Sequence, residues 1–140
     1  MRRETKDNIL MVILGITFFL NITAINLFPL TIEELVIVGW TTLGIGALSF
    51  VLSVFTHRRK GTRHVVDSGI YSIVRHPMYL GGLIFLFGLA IILANIISFI
   101  MPVFFFLIMN FLCIPVEESI MNDTFKGEYK EYKNKVRRWL

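Results

Sequence analysis

Val65-Val66-Asp67-Ser68-Gly69-Ile70-Tyr71-Ser72-Ile73-Val74-Arg75-His76-Pro77-Met78-Tyr79-Leu80-Gly81-Gly82 is the stretch on which the reading of this chain turns. It sets an acid, an arginine, a histidine, two tyrosines, a proline and three glycines between two segments apolar enough to lie in a bilayer. No membrane-spanning helix needs that chemistry. Gly69 suits a turn, and Pro77 is placed to open a helix at its first position. Gly81 and Gly82 leave that helix's surface bare of side chains, so that something can approach its backbone. The stretch reads as a site.

Its surroundings decide the solvent. Of 140 residues, 55% are hydrophobic and only 17% charged, with a mean hydropathy of +0.69. That is far from an ordinary soluble protein and points to an integral membrane protein of one domain. The net charge of +4 invites nucleic acid as a partner, but no soluble domain is present to carry a basic face. The lipid bilayer is the expected partner and nucleic acid is not. Cys113 is the single cysteine, so no disulfide forms within the chain.

Outward from the central stretch, the apolar runs have membrane length. Ile9 to Phe28 is apolar apart from Thr17, Asn21, Thr23 and Asn26, and about 20 residues at about 1.5 Å each cross a hydrocarbon core. That run is longer than the apolar part of a secretory signal, and no small-residue cleavage site follows it. Phe28-Pro29-Leu30-Thr31 breaks it, and Leu35 to Phe55 makes a second span in which Gly39, Gly44, Gly46 and Ala47 allow close helix approach. From Thr56 to Arg63 the chain turns basic. Tyr79 to Val116 then carries no formal charge over enough residues for two crossings, with Asn95 at the expected hairpin tip and Pro102 placed to kink or start the last span. After Pro115 and Glu117-Glu118, the residues Phe125, Tyr129, Tyr132, Val136 and Trp139 recur at helical spacing among Lys, Glu and Arg. This is an amphipathic helix expected at the membrane surface.

The expected fold is therefore all-α and polytopic, a single membrane domain over 1–140. Its four transmembrane helices lie at about 9–28, 35–55, 78–95 and 98–116, with a loop at 56–77 and a C-terminal surface helix at 119–137. Charge distribution agrees. Arg2, Arg3 and Lys6 precede the first span; Arg58, Arg59, Lys60, Arg63 and Arg75 fall between the second and third; Lys126, Lys130, Lys133, Lys135, Arg137 and Arg138 follow the fourth. These are all 14 Lys and Arg, and four spans put every one on the same face. The positive-inside rule makes that face cytoplasmic, with both termini there. Arg75, His76, Tyr79, Glu117 and Glu118 then meet at the cytoplasmic edge, where cations, anions and aromatic rings border a low-dielectric medium.

At these residues the chain resembles the integral-membrane isoprenylcysteine carboxyl methyltransferases and the related phospholipid N-methyltransferases. The resemblance rests on Gly69-Ile70-Tyr71, Arg75-His76-Pro77-Met78-Tyr79 followed by Gly81, Glu117-Glu118, and the tail Phe125-Lys126-Gly127-Glu128-Tyr129-Lys130-Glu131-Tyr132. It implies an all-helical membrane bundle that binds S-adenosyl-L-methionine at the cytoplasmic side. It also implies that Arg63, His64, Val65, Val66, Tyr71, His76, Pro77, Met78, Tyr79, Gly81 and Glu117 line the cofactor site. A carboxylate such as Glu117 suits the cofactor's ammonium, His76 or Arg75 with free amides suits its carboxylate, and an aromatic ring suits a sulfonium. No catalytic residue is assigned; Arg75, His76 and Glu118 are the candidates.

The expected acceptor is lipid-like or membrane-borne: a prenylcysteine-like carboxylate, which needs no base, or a lipid amine, which must first lose a proton. A bundle this small has little interior, which leaves a lipid-facing groove between helices or between the protomers of a homo-oligomer. The eukaryotic carboxyl methyltransferases carry an arginine about one turn before the Glu pair, where this chain has Cys113, and a further Pro-containing segment after the tail. The shortness fits a prokaryotic cell membrane. Two alternatives stand beside this reading. Membrane sterol reductases, which use NADPH, carry a similar Arg-His-Pro stretch, but with Asn and an acid where this chain has Met78 and Gly82. A non-catalytic scaffold or small transporter is the other class, although no ionisable residue lies mid-helix to mark an ion path. No metal is expected, since His57, His64 and His76 lack ligand spacing with one another or with Cys113.

Overall fold

A computed structural model of the chain describes Val12, Ile16 and residues 35–60, 64–94 and 96–140. The expected first helix at 9–28 lies outside the described residues except for Val12 and Ile16, and so does Asn95. The described part is all-helical. Helix α1 runs Val36–Lys60, α2 Pro77–Leu93 and α3 Ile96–Ile108; a π-helical turn, Met109–Cys113, joins α3 to α4, Ile114–Lys135. Among the described residues two stretches are long and apolar enough to cross a membrane, Val36–Arg59 and the run from Ile97, while α2 is a shorter apolar helix of 17 residues. Among described residues, α1, α3 and the π-turn leave Trp40, Leu48, Val51, Phe55, Phe99, Phe104 and Phe111 exposed. Hydrocarbon is the solvent that such a surface matches.

Helix α1 continues through the basic residues expected in a loop from 56, as far as Lys60. Nothing breaks the helix there: Thr56 Oγ1 donates back to the Leu52 carbonyl at 2.8 Å, and the Arg59 guanidinium lies 4.7 Å from the centre of the Phe55 ring.

Helices α1 and α2 run antiparallel at backbone contact. A methyl placed on Gly81 would lie 2.7 Å from the Phe50 amide nitrogen and 3.0 Å from the Gly46 carbonyl oxygen. One on Gly46 would fall on the Phe85 backbone, one on Gly88 on the Leu43 backbone, and one on Gly39 against Ile92. Two glycines seven apart on each helix thus face each other, which in lipid lets the helices gain dispersion contacts that bulkier residues would block. Gly44 takes no part, with nothing within 4 Å of where its methyl would be. Helix α2 packs α3 differently, through Leu86, Phe105 and Met109, with Phe105 lying over Gly82.

The second half departs from the expected spans most. In place of a fourth helix at 98–116 and a separate surface helix at 119–137, the chain stays helical from Ile96 past Glu118 up to a kink at Lys126, and a second helical piece follows to Lys135. Pro102 lies inside α3 and does not start it. Pro115, which has no amide proton to donate, falls just after the π-turn, where the hydrogen-bond ladder is already shifted by one residue. The break comes at Lys126, whose φ of 44° and ψ of −113° no helix contains. Residues beyond it fold back, so that Lys133 reaches Glu118. The recurring aromatic residues consequently meet protein instead of lipid: Tyr129 and Tyr132 are buried with Val65, against Met121, Phe125 and Val136.

The glycine contact gives a clear test. Gly46→Ala should lower detergent-state stability by about 1–3 kcal/mol, because only backbone stands where the methyl must go. Gly44→Ala should leave it unchanged. Thermal unfolding of the two variants side by side measures the difference, and equal melting would rule out the close contact.

Candidate functional site

Three pieces of chain converge at one end of the helices. The first is residues 64–76, which carries the short helical turn Gly69–Ser72 and enters α2 at Pro77, the first helical residue. Gly69 has φ of 61°, a conformation that favours glycine, and its amide neighbourhood begins the turn that hides Tyr71. The second is α4, which starts beside α2 because α3 returns along it. The third is the folded-back arm after Lys126 with the chain that follows it.

The returning arm explains the tail motif. Glu128 accepts the Val65 amide proton at 2.9 Å, and the Tyr132 hydroxyl donates to the Tyr71 carbonyl at 2.7 Å. Residues 64–68 lie outside helix and strand and Tyr71 sits in a single short turn, so these side chains satisfy backbone groups that burial would otherwise leave costly. Burial pushes the Tyr71 hydroxyl up to about 12, with the Glu117 charge adding to it.

Glu118 is the centre of the cluster and is only 5% exposed. Arg75 Nη1 lies 2.9 Å from its Oε1 and His76 Nε2 3.4 Å from the same oxygen. Lys133 donates to Oε2 at 3.2 Å, and Arg138 donates through Nε to Oε1 at 3.1 Å and through Nη2 to Oε2 at 2.8 Å. Burial pushes the Glu118 carboxyl up, yet the His76 and Arg138 hydrogen bonds, the Arg75 charge and the Lys133 hydrogen bond outweigh it and hold it well below the usual carboxylate range. The same contact raises the Arg138 guanidinium above its ordinary value. Glu118 lies two residues past Val116, and about 20 residues from Ile97 suffice for a crossing, so the cluster sits beyond the apolar span.

Glu117 differs. Its side chain is 37% exposed, and it accepts the Tyr79 hydroxyl proton at 2.9 Å while His76 Nδ1 stands 3.7 Å away. The His76 and Tyr79 rings stack, 5.7 Å apart and 15° from parallel. Nε and Nη1 of Arg75 are buried without a well-directed hydrogen bond among the described residues. The site therefore offers one reachable carboxylate, a stacked ring pair and three cations gathered on a single buried acid.

Of the residues singled out by sequence, Arg75, His76, Tyr79, Glu117 and Glu118 come together here. Pro77 is buried beneath them at the start of α2, and Met78 follows it. Val65 and Val66 are buried, whereas the His64 side chain is 80% exposed, 3.8 Å from Glu128. Arg63 lies outside the described residues. Gly81 serves the contact with α1, so what approaches its backbone is the Phe50 backbone. Cys113 packs as an apolar residue beside Leu86, Phe105 and Met109. For Lys133, Arg138, Trp139 and Asn110 the sequence carries no site signal beyond the amphipathic repeat, which points to that end of the chain only when read inward. Trp139 Nε1 donates to Asn110 Oδ1 at 3.0 Å, and the Phe106 and Trp139 rings are 5.3 Å apart. Among the described residues no group of three His, Cys, Asp or Glu could hold a metal ion.

Comparison with known proteins gives the family of the chain. The family model described as phospholipid methyltransferase matches residues 9–128. A protein-S-isoprenylcysteine O-methyltransferase of Saccharomyces cerevisiae is 41% identical over 81 residues, covering 56% of this chain and 33% of the relative. The protein-S-isoprenylcysteine O-methyltransferase B of Arabidopsis thaliana is 38% identical over 88 residues, 59% of this chain and 44% of the relative. An uncharacterized protein of Haemophilus influenzae is 38% identical over 63 residues, 45% of this chain and all of that protein. The chain thus spans less than half the length of the first two. No solved structure matches.

The Glu118 cluster predicts how stability follows pH. A carboxyl held low in the folded state stabilises above its ordinary value of 4.5, and that contribution is lost as pH falls below it towards the folded value. Wild type should lose stability steadily below about pH 4.5, and Glu118→Gln should be less stable at pH 7 with a flatter acid limb. Thermal unfolding across pH measures both curves; parallel curves would show that Glu118 is not held in this way.

Proposed function

We propose that this chain, which belongs to the phospholipid methyltransferase family, transfers the methyl group of S-adenosyl-L-methionine to a lipid-like or membrane-borne acceptor at the cytoplasmic edge of the membrane. The observation that carries the proposal is the convergence of Arg75, His76 and Tyr79 with Glu117 at a helix end bordered by exposed apolar surface. The names of the relatives support methyl transfer to an S-isoprenylcysteine oxygen, and the family name supports a phospholipid. The charge distribution supports four spans, including one over 9–28, with both termini cytoplasmic.

The donor set fits a cofactor that carries an amino acid and a sulfonium. Glu117 is the reachable carboxylate for the ammonium, since Glu118 is already engaged by three cations. Arg75, whose Nε has no hydrogen-bond partner among the described residues, and His76 are the groups for the carboxylate. The stacked His76 and Tyr79 rings present an aromatic face suited to a cation. Bound there, S-adenosyl-L-methionine supplies an electrophilic methyl group.

What the residues contribute is alignment and exclusion of water. A carboxylate acceptor needs no base, and a site of low polarity favours the cancellation of its charge against the sulfonium. An amine acceptor needs one. His76 is then the remaining candidate, because the Glu118 carboxylate is saturated with hydrogen bonds and Glu117 accepts from Tyr79.

Calorimetry on detergent-purified protein tests the reading. S-adenosyl-L-methionine should bind with a Kd of about micromolar order. Glu117→Ala should abolish binding, His76→Ala should weaken it, and NADPH should give no heat. Affinity unchanged in Glu117→Ala would refute the role given to that residue, and NADPH binding alone would move the chain to a reductase.

A further inference from the structure

The chain beyond Lys135 is tied to the site at three consecutive residues. Val136 leaves the helix in an extended conformation, φ −117° and ψ 133°. The Arg137 carbonyl then accepts the Arg75 amide proton at 2.9 Å, Arg138 makes its two hydrogen bonds to Glu118, and Trp139 bonds Asn110. Asn110 belongs to the π-turn, inside an apolar run, where a carboxamide without a partner is costly. The indole supplies that partner, and its ring packs on Phe106. Residues 136–139 form a strap that grips α3's extension at one end and the Arg75 backbone at the other.

Arg138 has a geometric role that the other cations lack. Glu118 is faced by Arg75 and His76 from the 64–76 stretch, by Lys133 from the returning arm, by Arg138 from the strap, and by Glu117 and Tyr129 nearby. Lys133 makes one contact from a half-exposed side chain, and Arg75 and His76 both touch Oε1. Among the described residues only Arg138 donates to both oxygens, and a fork on a carboxylate fixes its plane as well as its place.

We propose that Arg138 is a positioning residue and Trp139 its latch: the strap fixes Glu118, Glu118 fixes Arg75 and His76, and Glu117 is left as the carboxylate open to ligand. This inference rests on the reading that S-adenosyl-L-methionine binds here.

Trp40→Phe makes Trp139 the sole tryptophan, since the chain has 2, and Trp40 is exposed on α1 away from the site. In that background, Arg138→Gln and Asn110→Ala should each shift the emission to the red while helix content is kept. S-adenosyl-L-methionine affinity, read by calorimetry, should fall about tenfold or more in Arg138→Gln and be partly restored in Arg138→Lys. The acid limb of binding should also move to higher pH in Arg138→Gln, because Glu118 loses a group that keeps it ionised. Arg138→Gln combined with Glu118→Gln should bind no worse than Glu118→Gln alone, because the arginine acts through that carboxylate. Asn110→Ala, which removes no charge, carries the test if Arg138→Gln does not fold. Wild-type affinity in a variant with red-shifted emission overturns the inference, and so do losses that add in the double variant. Wild type that binds no S-adenosyl-L-methionine overturns the cofactor reading itself, and this inference with it, before any variant is compared.

Discussion

The carboxylate of Glu118 is where separately folded pieces of this chain meet. Arg75 and His76 come from the stretch before α2, Lys133 from the arm that folds back after Lys126, and Arg138 from the strap beyond it. A buried acid with these partners is not a cheap source of stability, because desolvating the ions offsets much of their attraction. Its consequence is conditional. With the partners in place the acid is satisfied; with one piece displaced, a buried charge is left short of partners, which is costly. Each piece is thereby held to one position relative to the others, which a greasy contact of equal area would not enforce.

That cluster depends in turn on how the helices are set. Hydrocarbon gives no hydrophobic reason for helices to associate, so α1 and α2 meet by close shape, Gly46 and Gly81 against each other's backbones. Helix α2 then carries the His76 turn at its start, and α3 returns along α2 through Leu86, Phe105 and Met109. The returning helix delivers Glu117 and Glu118 to that start. The π-turn intervenes just before them and rotates everything after it by about one residue relative to an unbroken helix. Which acid faces the cations and which faces Tyr79 is therefore decided at Met109–Cys113.

The sequence made the chemistry of the site legible because chemistry is local there: Arg75, His76 and Tyr79 are consecutive enough to be read as one turn, and the Glu pair stands alone after an uncharged run. What it hid were effects carried by backbone geometry and distant partners. The reversal at Lys126 has no loop signal, since the residues on both sides have helical character, and Gly127 alone is a weak mark. Reading Phe125, Tyr129 and Tyr132 as a membrane-facing stripe was sound for a continuous helix and fails only because the helix doubles back onto Val65. Gly81 illustrates the same limit. A bare helix surface can be read from sequence, but not whether a ligand or another helix approaches it.

Two adjacent acids take opposite roles for a simple geometric reason. Neighbours on a helix point about 100° apart, so when Glu118 turns inward to the cations, Glu117 must turn towards the flank where Tyr79 stands. Their environments then diverge. Glu118 accepts from Lys133 and Arg138 with the Arg75 charge beside it and is fully engaged by them, while Glu117 keeps a half-open carboxylate with one hydroxyl on it. His76 stands between the two, 3.4 Å from one and 3.7 Å from the other. Had the chain a single glutamate at this end, the same group would have to hold the site together and receive the ligand. Every binding event would then compete with the contacts that shape the pocket. On the proposed reading two acids separate those tasks, with His76 standing between them.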